Sequence, residues 1–427
     1  MKKISFDNKL NKDLFIVGTA LAIFATFFLG HIDCQWISYW GYDLLDSLFH
    51  GKMSNFPEYT YMHCSMPTNY TLFTNVITAV WLSPLYIIES ILGTDFGILA
   101  FELYYKIFVL IINILNLYLF NALISDFNIE SCKREIGLIL YEFSAITWLA
   151  VLAKGQVDNV VVLFTLIAFR ELKRERILRA GLLFGLAALI KPFVLLVAIP
   201  IMLLLLGKHV AKSIFSLILL AVPYIFDKTI TALIMPEYGK YSALTSEMFK
   251  ETFGKSRVEE IFSAKLGTVT VFLSVVLILM FIAYYLGIHK KAEYKHFLII
   301  PALTMISYGL FVSATCYWFI CILPMLIFMC LSYEKLSDGV LLQLGLSISC
   351  IGLIYTSEKA NAPALKNGLL GFVGLVRNNF DISVFLGNIN GYAIKLFKDG
   401  FTICMLLMVL LYIYENHKKE VQNNVRN

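Results

Sequence analysis

The run Ala150-Val151-Leu152-Ala153-Lys154-Gly155-Gln156-Val157-Asp158-Asn159 decides how this chain is read. It lies between two strongly apolar segments. Further on comes Ala180-Gly181-Leu182-Leu183-Phe184-Gly185-Leu186-Ala187-Ala188-Leu189-Ile190-Lys191-Pro192. The order is a polar Gly-Gln-x-Asp turn, a short apolar helix, a basic loop, and an apolar helix ending in Lys-Pro. Polar and ionisable groups set among membrane helices are costly and mark functional sites. That order therefore points to a membrane enzyme rather than a purely structural membrane protein.

Composition agrees. The chain has 427 residues, of which 59% are hydrophobic and 15% charged, and its mean hydropathy is +0.75. Water cannot solvate that much apolar surface, so the solvent is lipid. The first apolar run, residues 14–30, follows basic residues but has no small-residue cleavage site after it, and reads as a retained helix. The net charge of +5 is small, and the Lys and Arg residues sit in short loops, as topology signals do. No basic patch interleaved with aromatics is present, which argues against nucleic-acid binding. The eight cysteines show no metal-ligand spacing, and most read as small buried hydrophobes. Cys34 and Cys64 share one polar loop, where a disulfide and two free thiols are both open readings.

The apolar segments are residues 14–30, 70–92, 97–124, 136–153, 157–169, 180–206, 213–234, 266–288, 297–313, 317–331, 340–355 and 401–414. The short basic segments are 1–13, 125–135, 170–179, 207–212, 289–296, 333–338 and the tail after Tyr414. The positive-inside rule assigns all of these to the cytoplasm, with both termini. Counting crossings then requires 31–97 to be one long external loop, with its apolar part on the membrane surface or dipping back. It also divides 180–206 into two short helices meeting at Lys191-Pro192. Each half has about 11–15 residues, roughly 16–22 Å of helix, against a hydrocarbon core of about 30 Å. A cavity open to the outer side is expected above them. The expected fold is an all-α polytopic transmembrane bundle of about twelve spans. It forms one integral membrane domain over 1–427. Within it lie the external loop 31–97 with juxtamembrane helices, a catalytic module over 99–234 and C-terminal helices over 266–414. The external face also holds the turn at 155–159, Lys191-Pro192, and loops at 235–265 and 356–400.

Several residues are candidates for chemistry. Asp33 follows the first span. Trp36, Tyr39 or Trp40, Leu44 and Leu48 recur at helical spacing, so a short amphipathic helix on the outer membrane surface would hold Asp33 at the headgroup level. A carboxylate there suits a general base toward a hydroxyl; a solvated loop acid or helix cap is the plainer reading. Asp43 and Asp46 are weaker candidates of the same kind. Lys191 has apolar flanks, and a cation in such a setting costs about 2.5–3.5 kcal/mol on insertion scales. It binds a lipid phosphate, snorkels to the interface, or pairs with a buried acid such as Glu142. Gln156 and Asp158 suit sugar hydroxyls, or simply form a polar turn with Gly155. Glu102 and Lys106, four residues apart, read as a structural helix pair. His31, His50 and His63 show no metal-ligand spacing.

Together these residues resemble the GT-C superfamily of polytopic glycosyltransferases, and within it bacterial polyprenol-phosphate-mannose-type mannosyltransferases. Asp33 stands where that family has an acid in its first external loop. Gly155, Gln156 and Asp158 are similar to its Gly-Gln-x-Asp-like turn. Gly181, Gly185, Lys191 and Pro192 are similar to its small-residue helix ending in Lys-Pro. Tyr317-Trp318-Phe319-Ile320-Cys321-Ile322-Leu323-Pro324 is similar to its late Tyr-then-Pro segment. The match is good over the first half and loose over the second. Two departures stand out: the acid is framed as Asp33-Cys34-Gln35-Trp36, and Trp148 is displaced relative to the Gly-Gln turn.

The resemblance implies an inverting hexosyltransferase of the cell envelope, working on the outer face of the membrane. It would move mannose or another hexose from a polyprenyl-phosphate donor to a hydroxyl of a glycan, lipid or protein acceptor. Asp33 would be the base and Lys191 would bind the donor phosphate. Gln156, Asp158 and Tyr317 would bind sugar or acceptor. Some relatives use a divalent metal and others none; no metal ligands are assigned here. Two other classes compete. A flippase or transporter of lipid-linked sugars commonly carries internal repeats with matched broken helices, and only one broken pair occurs here. A glycan polymerase or ligase relies on a large external loop rich in arginine, whereas 235–265 contains only Arg257.

Overall fold

The computed structural model describes residues 4–64, 68–127, 129–236, 257–312, 315–356 and 391–426. The expected loops at 235–265 and 356–400 therefore lie largely outside the described residues. The helices are α1 (Lys9–Phe28), α2 (Ile32–Phe49), α3 (Phe56–Cys64), α4 (Leu72–Leu92), α5 (Ile98–Asp126) and α6 (Ser131–Phe143), followed by a π-helical segment, Ile146–Ala153. Next come α7 (Asp158–Lys173), α8 (Ile177–Ile190), α9 (Leu195–Leu204) and α10 (Val210–Ile234). The second half holds α11 (Arg257–Ile261), a two-residue hairpin of β1 (Lys265–Leu266) and β2 (Val269–Thr270), α12 (Val271–Ile288) and α13 (His296–Phe311). A 3-10 helix, Cys316–Cys321, then leads to α14 (Leu323–Leu331), α15 (Leu336–Thr356) and α16 (Gly391–Arg426).

The chain is thus an all-α polytopic helical protein. Among the described residues, eight helices are long and apolar enough to cross a membrane: Lys9–Phe28, Leu72–Leu92, Ile98–Asp126, Ser131–Ala153, Val210–Ile234, Val271–Ile288, Leu336–Ile354 and Lys395–Gln422. The expected segments 157–169, 180–206, 297–313 and 317–331 are instead built from shorter helices. Residues 180–206 divide as expected. Lys191 adopts extended backbone (φ −141°, ψ 109°), Pro192 opens a 3-10 turn, and α9 follows. Proline lacks the amide that would continue α8, but suits the first turn of the next helix.

Contacts sort the connections into two ends of the bundle. Near the start of α1, Asp7 and Asn11 bond to Glu135 near the start of α6. At the opposite end, Lys106 of α5 reaches the carbonyls of Leu29, after α1, and Ala153, closing the π-helical segment. So α1 and α6 run parallel, α5 runs antiparallel, and α2 to α4 begin and end at one end of the bundle. The basic connections gather at the other end. There Phe127 lies on Tyr294 with ring centroids 4.5 Å apart, and Lys295 pairs with Glu420. Lys418 pairs with Glu334 at 2.7 Å.

The 31–97 region carries helices, as expected. It contains α2, α3 and the 21-residue α4, which Thr71 caps and Gly93 closes with φ +62°. The face of α2 differs from expectation: Trp40 and Leu44 are buried, but Leu48 is exposed, and Ile37 and Leu45 complete the buried stripe. The helix packs on α4, as shown at Gly41, where an added Cβ would meet the side chain of Thr78. Its buried face is therefore set by packing on α4. Small residues also bring α8 against α10. A Cβ at Gly181 would sit 2.8 Å from the Ser216 carbonyl, and one at Gly185 2.8 Å from that of Leu220. Such close approach is what small-residue spacing permits between membrane helices.

Candidate functional site

The site is built from helix breaks. Asp33 lies in the first turn of α2, whose N-cap is His31; the His31 Nδ1 accepts from the Asp33 N–H at 3.1 Å. At the second break, the chain leaves the π-helical segment through Lys154, Gly155 and Gln156. Gly155 takes φ +61°, a left-handed conformation that glycine adopts without steric cost. Any side chain there would also strike the Cys34 thiol. Gln156 Nε2 donates to Asp33 Oδ2 at 2.7 Å. Asp158 then opens α7, where a carboxylate complements the positive end of the helix dipole.

The third break is Lys191. Its Nζ donates to the Tyr70 hydroxyl at 3.1 Å and lies 3.5 Å from Asp158 Oδ2. It also sits over the Tyr70 ring at 4.6 Å and the Tyr317 ring at 5.6 Å. Lys154 Nζ lies 5.1 Å from the centroid of the same Tyr317 ring. Tyr317 belongs to the Cys316–Cys321 turn, a fourth break. Thr71 ties the start of α4 to the end of α8 by donating to the Leu189 carbonyl at 3.1 Å.

All five expected site residues, Asp33, Gln156, Asp158, Lys191 and Tyr317, therefore meet in one cluster. The rings of Tyr70 and Tyr317 flank Lys191 where the open cavity is expected. The Lys191 side chain keeps 12% exposure and Asp158 none, while Asp33 keeps 26%. Asp33 is thus the accessible acid. Burial pushes its carboxyl up. The imidazole of His31 and the ammonium groups of Lys154 and Lys191 outweigh that and hold it well below the usual carboxylate range. Two acceptors stay unused: the Gln156 Oε1 and the Asp158 Oδ1 are buried with no hydrogen-bond partner. Buried acceptors are normally satisfied, so both suit a donor brought by a ligand.

Other expectations are corrected. Glu142 faces Asn113 at 3.4 Å, and Lys191 takes Asp158 instead. Lys106 spends its ammonium on the Leu29 and Ala153 carbonyls and forms no ion pair with Glu102, because those carbonyls at two helix ends lack helical partners. Cys34 and Cys64 are free thiols: Cys34 packs on Gly155 in the first turn of α2, while the end of α3 lies beside Tyr39 and Asp43 further along that helix. Asp43 and Asp46 form a separate cluster, with His63 Nδ1 2.6 Å from Asp43 Oδ1 and the Tyr86 hydroxyl donating to Asp46 at 3.1 Å. Among the described residues, no group of three His, Cys, Asp or Glu side chains could hold a metal ion.

Tyr70, Lys154 and His31 were not anticipated as site residues. Lys154 carried a signal, since a lysine closing the apolar run 136–153 is as unusual as Lys191. Tyr70 carried none, because its role depends on α4 folding back onto α8. Chemically, the cluster offers an ionised and oriented carboxylate, two ammonium groups and two aromatic walls. No protein-family model matches the chain, and no curated protein sequence matches it.

Proposed function

We propose that this protein is an inverting glycosyltransferase that moves a hexose from a polyprenyl-phosphate donor to an acceptor hydroxyl. The observation that carries the reading is that Gln156 donates to Asp33 at 2.7 Å while Asp158, two residues on, lies 3.5 Å from Lys191, which joins three distant stretches of sequence in one cluster. Asp33 takes the proton of the acceptor hydroxyl. The acceptor oxygen attacks the anomeric carbon from the face opposite the phosphate, and the bond from carbon to phosphate oxygen breaks with its electron pair. Polyprenyl phosphate leaves, so the product is inverted and no acid is needed for departure. Lys191 and Lys154 stabilise the growing negative charge on the phosphate, in a poorly solvated site where fixed cations act strongly. Gln156 holds Asp33 in place. The Gln156 Oε1 and the Asp158 Oδ1 accept hydroxyls of the sugar, and Tyr317 stacks against it.

The placement of the site on the outer side of the cell membrane rests on the positive-inside rule. The short basic connections gather at the end of the bundle opposite Asp33, so that end and both termini are cytoplasmic. Five shorter helices (α7, α8, α9, α13 and α14) then traverse together with the long ones. In this arrangement α4 makes no net crossing, and the chain traverses about twelve times.

The test is transfer from a panel of labelled polyprenyl-phosphate hexoses in purified membranes, comparing wild type with Asp33→Asn at equal expression. Transfer lost in the variant supports the assignment. Transfer that survives it removes Asp33 as the base.

A further inference from the structure

A second site lies at the other end of α7. A cavity of about 230 Å³ runs beside that helix from Val162 to Lys173 and continues to Cys321 and Phe328. From Val162 to Lys173 is about 16 Å of helix. The cavity is lined almost wholly by apolar groups, including Phe169, Phe297 and Met325. Apolar cavities of about 150 Å³ stay dry and take up apolar guests, so this volume suits an alkyl chain better than water.

Its mouth is charged. Lys173 lines the cavity and is exposed, with Nζ 4.0 Å from the Phe127 ring centroid. Neighbouring cations are occupied. Arg170 lies 3.7 Å from Asp126, and Glu171 is shared by Arg174, Arg176 and Arg179 at 3.0, 3.5 and 3.8 Å. Among the described residues, no carboxylate lies within ion-pair distance of Lys173. Three arginines on one glutamate leave the turn that follows Lys173 with an excess of positive charge. An alkyl-sized apolar cavity with a lysine that has no carboxylate partner among the described residues, beside a basic turn, is complementary to a lipid with an anionic headgroup.

We infer that this cavity binds one acyl chain of an anionic phospholipid, with the headgroup phosphate held at Lys173. The site is separate from the Asp33 cluster, which lies at the opposite end of α7, and it does not depend on the transferase reading. The helices that line it, α5, α7, α13 and α14, are joined by the lipid at the end of the bundle where the basic loops lie.

The experiment uses the full-length protein in phosphatidylcholine nanodiscs doped with phosphatidylglycerol carrying a photoactivatable diazirine on one acyl chain. After illumination, adducts are mapped by mass spectrometry. The expected result is adducts concentrated on 162–172 and 321–328. Lys173→Gln lowers them about fivefold, the effect of one lysine on an anionic lipid, and Lys173→Arg restores them. A phosphatidylcholine carrying the same diazirine labels less and does not respond to either substitution. Lys173 is exposed, so both variants fold, and gel filtration verifies it. Four outcomes overturn the inference. The first is adducts spread evenly over lipid-facing positions such as Phe226 and Phe281. The second is labelling unchanged in Lys173→Gln. The third is displacement of the phospholipid by palmitate, which makes a free fatty acid the occupant. The fourth is displacement by polyprenyl phosphate, which makes the cavity part of the donor site.

Discussion

Gln156 and Asp33 are 123 positions apart in sequence and 2.7 Å apart in space, joined by an amide that donates to a carboxylate oxygen. The bond restricts the carboxylate to one orientation while its other oxygen remains available. Asp33→Asn removes the base and should lower kcat for hexose transfer by about 10²–10⁴-fold. Gln156→Leu keeps the base but loses its orientation and the Oε1 acceptor for the sugar, so kcat should fall by at least about tenfold, the worth of one hydrogen bond to a charged group. Steady-state transfer assays on both variants check this, and a loss in Asp33→Asn no larger than in Gln156→Leu would argue against Asp33 as the base.

Lys191 and Asp158 form a nearly buried pair, and removing one partner strands the other. Lys191→Met should destabilise the fold by about 3–5 kcal/mol, the cost of leaving a buried charge without its partner. Asp158→Asn in the same chain should recover most of that stability, because the stranded charge is gone. Transfer should stay low in the double variant, since the phosphate still lacks Lys191. Thermal unfolding beside transfer activity separates the two effects.

Gly155 is constrained twice, by its positive φ and by the Cys34 thiol. Gly155→Ala should cost about 1–2 kcal/mol for the left-handed backbone alone, with the steric conflict added. Cys34→Ala should relieve the contact with the thiol but not all of the second part, since the Cβ of residue 34 would still lie 2.9 Å from the new one. Thermal unfolding of Gly155→Ala with and without Cys34→Ala measures the division, and full rescue by Cys34→Ala would remove the backbone component.

The Asp43–His63 contact makes the docking of α3 sensitive to pH. The hydrogen bond to Asp43 raises the His63 imidazole above its ordinary value, partly opposed by burial, and Asp46 adds to the rise. Burial pushes the Asp43 carboxyl up, and His63 opposes it. For a raised histidine, the stabilisation is fully present below about pH 6.5 and is lost as pH climbs through the folded value. Hydrogen exchange in 56–64, corrected for intrinsic rate, should therefore quicken between pH 6 and pH 8 beyond the rest of the protein. His63→Ala should abolish the difference.

Much of this architecture was readable from residues alone. Long apolar runs such as 97–124 and 213–234 specify helices because hydrocarbon leaves the backbone no other way to satisfy its polar groups. Lys191-Pro192 specified a break because proline cannot extend α8. Charge in the short loops separated the two ends. What was not readable depended on contacts between distant segments. Leu48 looked like part of the buried stripe of α2, but α4 covers a neighbouring face. Lys106 looked like a partner for Glu102 at helical spacing, whereas the free carbonyls of Leu29 and Ala153 exist only once α1 and the π-helical segment end side by side. Asp33 and Lys191 were selected by chemical type and position. Tyr70 became visible only when α4 was folded against α8.

The four charged groups of the cluster, Asp33, Asp158, Lys154 and Lys191, sum to zero. A neutral interior is the cheapest way to hold ionised side chains away from water, and it sets the terms on which an anion enters. An incoming phosphate makes Asp158 and itself rivals for one ammonium 3.5 Å from the carboxylate. On the proposed function, anion uptake would be an exchange of counter-ions: Asp158 holds Lys191 at rest and would yield it to the phosphate. Neutralising Asp158 would leave the lysine open, trading stability at rest for tighter retention of the anion, including the spent one.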